Sequence, residues 1–199
     1  MNNYPKSMQE LIESFKLLSG IGERTAERLV YNILELDKES VEKFSNSLID
    51  VKTKIKKCSI CHNITETKVC SICEDSSRQD IICVVENVKN IIMLEKSNIY
   101  RGKYHCIDGL ISPLDGINID DLNIISLINR IKEENIKEVI FALKPGIEGD
   151  TTKLYIKRLI SNLNVKTSAL AQGLPIGADM DYIDNLTLET ALKDRKIIE

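Results

Sequence analysis

Long apolar runs are missing from this 199-residue chain. No uninterrupted stretch approaches the roughly 20 residues needed to cross a bilayer, so a membrane-spanning role is not expected. Residues 1–6, Met-Asn-Asn-Tyr-Pro-Lys, lack the apolar core of a secretion signal, and a cytoplasmic location with no membrane partner is expected. Gly-x-x-x-x-Gly-Lys-Ser/Thr is absent, which removes the phosphate cradle of P-loop enzymes and argues against ATP hydrolysis. Proline is scarce, at four residues, and no low-complexity tract is present, so the chain is not of the disordered class. A basic excess is lacking too: 27 Lys and Arg against 30 Asp and Glu leave a net charge of −3. What remains, 43% hydrophobic and 29% charged, is globular and long enough to bury a core in one or two domains.

What is present centres on cysteine. Cys58-x-x-Cys61 and Cys70-x-x-Cys73 are two nearly literal repeats of Cys-Ser-Ile-Cys, eight residues apart. Four thiolates on paired turns can surround one tetrahedral zinc ion, and the expectation is one structural zinc per chain. His62 stands beside Cys61, but four cysteines already fill the shell. The charged residues between the knuckles are Glu66 and Lys68 alone, with no recognition helix, so a base-reading finger is not expected. A folding clip at a short joint is, setting the angle between what precedes and follows it. Cys83 and Cys106 lie in apolar runs and read as core residues.

Before the knuckles the pattern is helical. Met8, Leu11, Ile12 and Phe15 repeat at i, i+3, i+4, i+7, and Val41, Phe44, Leu48 and Val51 do so again, with Ser40 as expected N-cap. Between them, Gly20-Ile21-Gly22 joins two helices. The glycines permit a tight turn, and the free N–H groups and dipole at the next helix start suit a phosphate oxygen. Arg24 and Arg28 share a helix face beside that turn. The stretch resembles a helix-hairpin-helix, a module that grips nucleic-acid backbones, so Gly20, Gly22, Arg24 and Arg28 are the candidate DNA contacts. Glu23 and Glu27 are interleaved with them and weaken the positive field. Residues 51–57 add four lysines and no acid.

After Arg78 strands and helices alternate. Strands are expected at 81–86, 104–107, 138–143 and 166–170, and helices at 88–96, 121–134 and 151–163. That order implies a small doubly wound parallel sheet. Glu86 ends the first strand and Glu148-Gly149-Asp150 follows the third, where such sheets bind ligands. The arrangement resembles the Toprim domain, whose carboxylates can hold Mg²⁺. Residues 100–105, Tyr-Arg-Gly-Lys-Tyr-His, fit either a nucleic-acid contact or an ordinary strand entering a core, with His105 as a core histidine. A Gly/Pro-punctuated tail ends in a helix near 186–192, docked by Leu188, Ala191 and Leu192.

The order of hairpin, zinc knuckle and Toprim-like unit resembles the RecR family of bacterial recombination mediators over nearly the whole chain. Leu18-Ser19-Gly20-Ile21-Gly22, the four cysteines, Cys83-Val84-Val85-Glu86, residues 100–105, Ser112-Pro113-Leu114-Asp115-Gly116, residues 148–152 and residues 171–177 carry it. The resemblance implies an α+β multi-domain chain: a helix-hairpin-helix module at 1–56, a four-cysteine zinc finger at 57–78, a Toprim domain at 79–172 and a C-terminal tail at 173–199. It also implies a non-enzymatic, nucleoid-associated protein of DNA repair. Such a protein forms a clamp-like tetrameric ring on single-stranded, double-stranded or gapped DNA. It acts with RecO and RecF to load RecA, and Glu86, Glu148 and Asp150 would face a partner protein. Ser19 departs from a usual proline, Asn90 from a common aspartate, and residues 143–147 from the usual run before Glu-Gly. Two alternatives stand beside this reading: a Mg²⁺-dependent Toprim nuclease or primase-like enzyme using Glu86, Glu148 and Asp150, and a zinc-stabilised assembly protein that never touches DNA.

Overall fold

A computed structural model describes residues 4–195. The chain divides into two compact units, 1–55 and 56–199.

The first unit is three helices: α1 (Lys6–Lys16), α2 (Glu23–Leu34) and α3 (Lys38–Lys54). Ile12 of α1 and Ala26 and Val30 of α2 form a small buried core, with Met8, Leu11, Phe15 and the hairpin's Ile21 packed around it. The i, i+3, i+4 stripe thus finds its partner in the next helix, and Ile21 plugs the pair as its position in the turn requires. α3 is different: none of its residues is buried. Phe44, Leu48 and Val51, the expected core stripe, are exposed by 45%, 60% and 66%. Its N-cap is Asp37 rather than Ser40, since the Asp37 carboxylate accepts from the Ser40 backbone N–H at 2.9 Å. The aspartate three residues earlier satisfies the orphan donor, leaving the serine inside the first turn.

The second unit opens with a short antiparallel pair, β1 (Lys56–Lys57) and β2 (Ile64–Thr65), then one helical turn, α4 (Ser71–Glu74). The sheet follows: β3 (Ile81–Val85), α5 (Val88–Ser97), β4 (Lys103–Cys106), α6 (Ile124–Glu133), β5 (Glu138–Ala142), α7 (Ile147–Leu159), β6 (Lys166–Ala169), and finally α8 (Asn185–Lys193). The four strands are all parallel in the order β4-β3-β5-β6. Side chains alternate across the sheet. Ile82, Val84, Val139 and Phe141 meet α6 and α7 on one face through Leu127, Ile131, Ile156 and Ile160. Cys83, Val85, Tyr104 and Cys106 meet Ile91 of α5 on the other. The sheet is therefore doubly wound, with the strand order reversing between β3 and β5.

Two helices start elsewhere than periodicity implies. α6 begins at Ile124, because residues 119–121 form a separate 3₁₀ turn closed by Asn118 and Asp121. α7 begins at Ile147 instead of Thr151, behind a Gly146 at φ 132° that only glycine holds comfortably. Glu148 and Asp150 therefore sit in the first turn of a helix and not in a loop. Leu188 and Ala191 of α8 are half-buried, whereas Leu192 is exposed.

Candidate zinc centre and nucleic-acid interface

The four cysteines are brought together by two reverse turns. Cys58 N–H donates to the Asn63 carbonyl at 2.7 Å and His62 N–H to the Cys58 carbonyl at 3.1 Å, with His62 itself at φ 61°. The second turn is closed by Cys73 N–H to the Cys70 carbonyl at 2.9 Å. All four Sγ atoms lie within 4.8 Å of one another. A tetrahedral ion with Zn–S bonds of about 2.3 Å spaces its sulfurs by about 3.8 Å, so the set fits. Cys70 N–H points at Cys58 Sγ at 3.3 Å, and Arg130 Nη2 approaches Cys73 Sγ at 3.8 Å. Both are donors that favour thiolate over thiol. The thiols hydrogen-bond one another, so bonds from Cys61 and Cys73 hold the Cys70 thiol below its ordinary pKa while the same pairing, with burial, pushes the Cys61 thiol up. The group of ligand atoms close enough to share an ion is the four cysteines without His62, whose Nε2 lies 2.9 Å from Ser126 Oγ.

The knuckles are joined to the sheet by more than chain connectivity. Cys106 N–H, on the outer edge of β4, donates to the Cys61 carbonyl at 2.9 Å. Arg130 of α6 donates to the Tyr104 carbonyl on the same edge at 2.6 Å and to Glu134 at 2.8 Å. The His62 ring meets buried His105 edge-on, centroids 5.2 Å apart. His105 Nε2 lies 3.0 Å from the Asn123 carbonyl, and burial pushes its pKa down to about 3, so it is a neutral core histidine. The zinc module thereby covers an edge strand whose backbone groups need partners. Sequence reading missed Arg130, although its place on the α6 stripe, three residues after Leu127, was a signal.

Residues 100–105 are structural. Tyr100 Oη donates to the carbonyls of Ile81 and Lys103 at 2.9 and 3.0 Å, and Lys103 pairs with Glu134 at 2.9 Å. Arg78 makes a bidentate pair with Glu95 at 2.8 and 2.7 Å, and Tyr104 Oη joins it at 2.8 Å. Of the run's basic residues only Arg101 is exposed. Cys83 and Cys106 are 3% and 0% exposed, and burial pushes the Cys83 thiol up to about 12, so neither is a nucleophile.

The sheet's carboxyl end carries Glu86, half-buried after β3, and exposed Glu148 and Asp150 in the first turn of α7. Asp150 is held by Lys153 at 2.6 Å. Among the described residues the cysteines are the one group of three or more such side chains close enough to share a metal ion, so these three acids do not converge on one. Gly149 is fixed by packing, since an added Cβ would overlap the Lys144 carbonyl oxygen. Asn90 closes a reciprocal cap with Asn87, each side-chain oxygen accepting the other's backbone N–H at 3.2 and 3.3 Å. That gives the position a structural task an aspartate would serve equally.

At the hairpin, Gly20 has φ 85°, which favours glycine, and Gly22 is the N-cap of α2 at φ −93°. Any residue adopts the Gly22 conformation, and a Cβ there would meet nothing within 4 Å. No side chain caps the helix start. Arg24 and Arg28 are exposed one turn apart, and neither has an ion-pair partner among the described residues. The interleaved acids are engaged elsewhere: Glu23 pairs with Lys16 at 2.6 Å, and Glu27 accepts from Tyr4 Oη at 3.3 Å.

Taken together, the fold and its centre define a Toprim-type α/β protein with a structural four-cysteine zinc module and an N-terminal helical hairpin. Four family descriptions match along the chain: RecR, helix-hairpin-helix at 8–52; RecR, four-cysteine zinc finger domain at 55–75; Toprim domain at 80–171; and RecR, C-terminal at 173–196. The protein named Recombination protein RecR of Staphylococcus haemolyticus (strain JCSC1435) is 45% identical over 97% of this chain and 98% of its own length. That of Staphylococcus saprophyticus subsp. saprophyticus is likewise 45% identical, and that of Staphylococcus aureus (strain Newman) 44%, over the same shares. The chain belongs to the RecR family of recombination proteins.

Proposed function

We propose that the chain is a non-catalytic DNA-binding mediator of recombinational repair. In this reading it assembles as a clamp-like oligomer, a tetrameric ring, on gapped or single-stranded DNA near the nucleoid, and acts with RecO and RecF to help load RecA. The observation that carries the DNA contact is the open hairpin. Arg24 and Arg28 project together without internal partners, beside the uncapped N–H groups of α2, and Gly22 has no internal reason to lack a side chain. A helix start and two free guanidiniums suit successive phosphates, and a missing Cβ lets a sugar-phosphate backbone approach closely. The two acids that would oppose them are already paired. Oligomerisation is supported by α3, a 17-residue helix that buries none of its residues although Phe44, Leu48 and Val51 form an apolar stripe.

Glu86, Glu148 and Asp150 are assigned to a partner protein. What favours docking over phosphoryl transfer is that the acids do not gather into a metal-holding group, and that Asp150 is tied to Lys153. In this reading Glu148→Ala loses RecO binding while the oligomer persists; RecO binding at wild-type strength refutes the assignment. Incubation of the pure protein with labelled single- and double-stranded DNA, Mg²⁺ and Mn²⁺ separates mediator from nuclease. No cleavage is expected, and cleavage abolished by Glu86→Ala establishes the enzyme instead.

A further inference from the structure

The two edges of the parallel sheet are treated differently. On the β4 edge three of the four outward backbone groups of Tyr104 and Cys106 are occupied, the Tyr104 carbonyl by Arg130, the Cys106 N–H by the Cys61 carbonyl and the Cys106 carbonyl by Asn123 Nδ2 at 3.2 Å. On the other side β6 is last in the sheet, and among the described residues no strand pairs with its outer edge. Lys166 and Leu170 N–H groups bond inward to the Lys137 and Phe141 carbonyls at 3.0 and 3.1 Å. By the two-residue period of a strand, Thr167 and Ala169 turn their backbone donors and acceptors outward.

Beside that edge runs a cleft of about 210 Å³ between β6 and α7, floored by Phe141 and Leu154 and walled by Thr167, Ala169, Lys153 and Lys157. Its lining holds two cations and no acid. Lys153 is spoken for by Asp150, but Lys157 and the neighbouring Lys166 are exposed and have no ion-pair partner among the described residues. Leu154 and Leu170 are 61% and 52% exposed.

We propose that β6 is a docking edge for an extended acidic-apolar peptide segment of a partner protein, added to the sheet as a fifth strand. Thr167 and Ala169 supply the backbone ladder. Alternate apolar side chains of the peptide enter the cleft on Phe141 and Leu154, and its acids meet Lys157 and Lys166. A second copy of this chain is the poorer occupant, since its β6 strand, Lys-Thr-Ser-Ala, offers no acid to Lys157 or Lys166 and no large apolar side chain to the cleft. The site lies in the α/β unit, does not involve the hairpin arginines, and stands or falls separately from DNA binding.

The test uses the full zinc-loaded protein and a fluorescein-labelled peptide of sequence Glu-Val-Asp-Ile-Glu-Val, with Lys-Val-Lys-Ile-Lys-Val as control. Anisotropy should show saturable binding of the acidic peptide alone, weakened by about tenfold or more in Lys157→Glu/Lys166→Glu, whose positions are exposed and leave the core intact. Hydrogen exchange with residue-level fragmentation should show the Thr167 and Ala169 amides exchanging fast in the free protein and slowing with peptide. Ala169→Pro, which removes one outward donor, should also weaken binding. Equal affinity in the charge-reversed variant, or binding without protection of those two amides, overturns the proposal. Failure of the acidic peptide to bind overturns it as well. Protection of both amides before peptide is added overturns it in favour of pairing between copies.

Discussion

Replacing Arg130 by methionine keeps the apolar stem in the α6 stripe and removes the guanidinium that ties three parts of the α/β unit together. The side chain is 5% exposed and donates to the Tyr104 carbonyl at 2.6 Å, to Glu134 at 2.8 Å and towards Cys73 Sγ at 3.8 Å. Tyr104 is fully buried, so its carbonyl loses a charged donor with no water to replace it. That loss costs about 1.5–3 kcal/mol. Breaking a buried ion pair outright costs about 3–5 kcal/mol, but Glu134 is 27% exposed and keeps Lys103 at 2.9 Å, so only part of that applies. The sum is about 3 kcal/mol, or a Tm lowered by about 6–12 °C for a chain of this size. Burial would push the Glu134 carboxyl up, yet hydrogen bonds from Arg130 and Lys103 hold it below the usual range, and in the variant it rises. Zinc should also leave faster, by about tenfold, because a donor aimed at one ligand sulfur is gone. Urea and thermal melts in zinc-saturated buffer give the first number, and a chromogenic chelator gives the second. A loss under about 1 kcal/mol, with unchanged zinc release, refutes Arg130 as the link between knuckle and sheet.

Other predictions bear on separate parts of the fold. Gly149→Ala drives a Cβ into the Lys144 carbonyl oxygen, a backbone atom, and should cost about 1–3 kcal/mol in a urea melt; a neutral substitution contradicts that packing. His105 is neutral when folded, its pKa pushed by burial to about 3 from an ordinary 6.5. Between those values the unfolded chain binds the extra proton, so stability is full above pH 6.5 and declines as pH falls towards 3. His105→Gln should flatten that part of the stability-pH profile, and an unaltered slope counts against the burial argument. Cys58→Ser should abolish stoichiometric zinc and lower the stability of the α/β unit by several kcal/mol, since the β4 edge loses its cover along with the ion; melting unmoved by zinc removal contradicts the clip.

Most of the architecture was legible because its signals are local. Two Cys-x-x-Cys turns need only their own spacing, the β3 and β5 runs only continuous apolar residues, and the α1 stripe only its periodicity. Errors arose where a distant or competing group decides. Asp37 displaces Ser40 as a cap, and Gly146 lets α7 start four residues early, which moved Glu148 and Asp150 from a loop into a helix. Phe44 and Leu48 of α3 carry helical spacing but stay 45% and 60% exposed, since periodicity cannot say what, if anything, covers the stripe. Residues 100–105 looked half basic because sequence does not reveal that Glu134 absorbs Lys103, nor that two carbonyls absorb the Tyr100 hydroxyl. The docking of the zinc turns on β4 involves residues 45 apart in the chain, Cys61 and Cys106, and no local pattern encodes it.

A DNA grip through the open hairpin, without catalysis, is tested most directly by the salt dependence of binding to a gapped duplex. Affinity of the wild type should fall linearly in log K against log salt. In Arg24→Ala/Arg28→Ala the affinity should drop and the slope flatten by about 0.7–0.9 for each phosphate no longer neutralised, with mass and melting unchanged. Affinity and slope identical to wild type, in a variant that still folds and assembles, would contradict the claim.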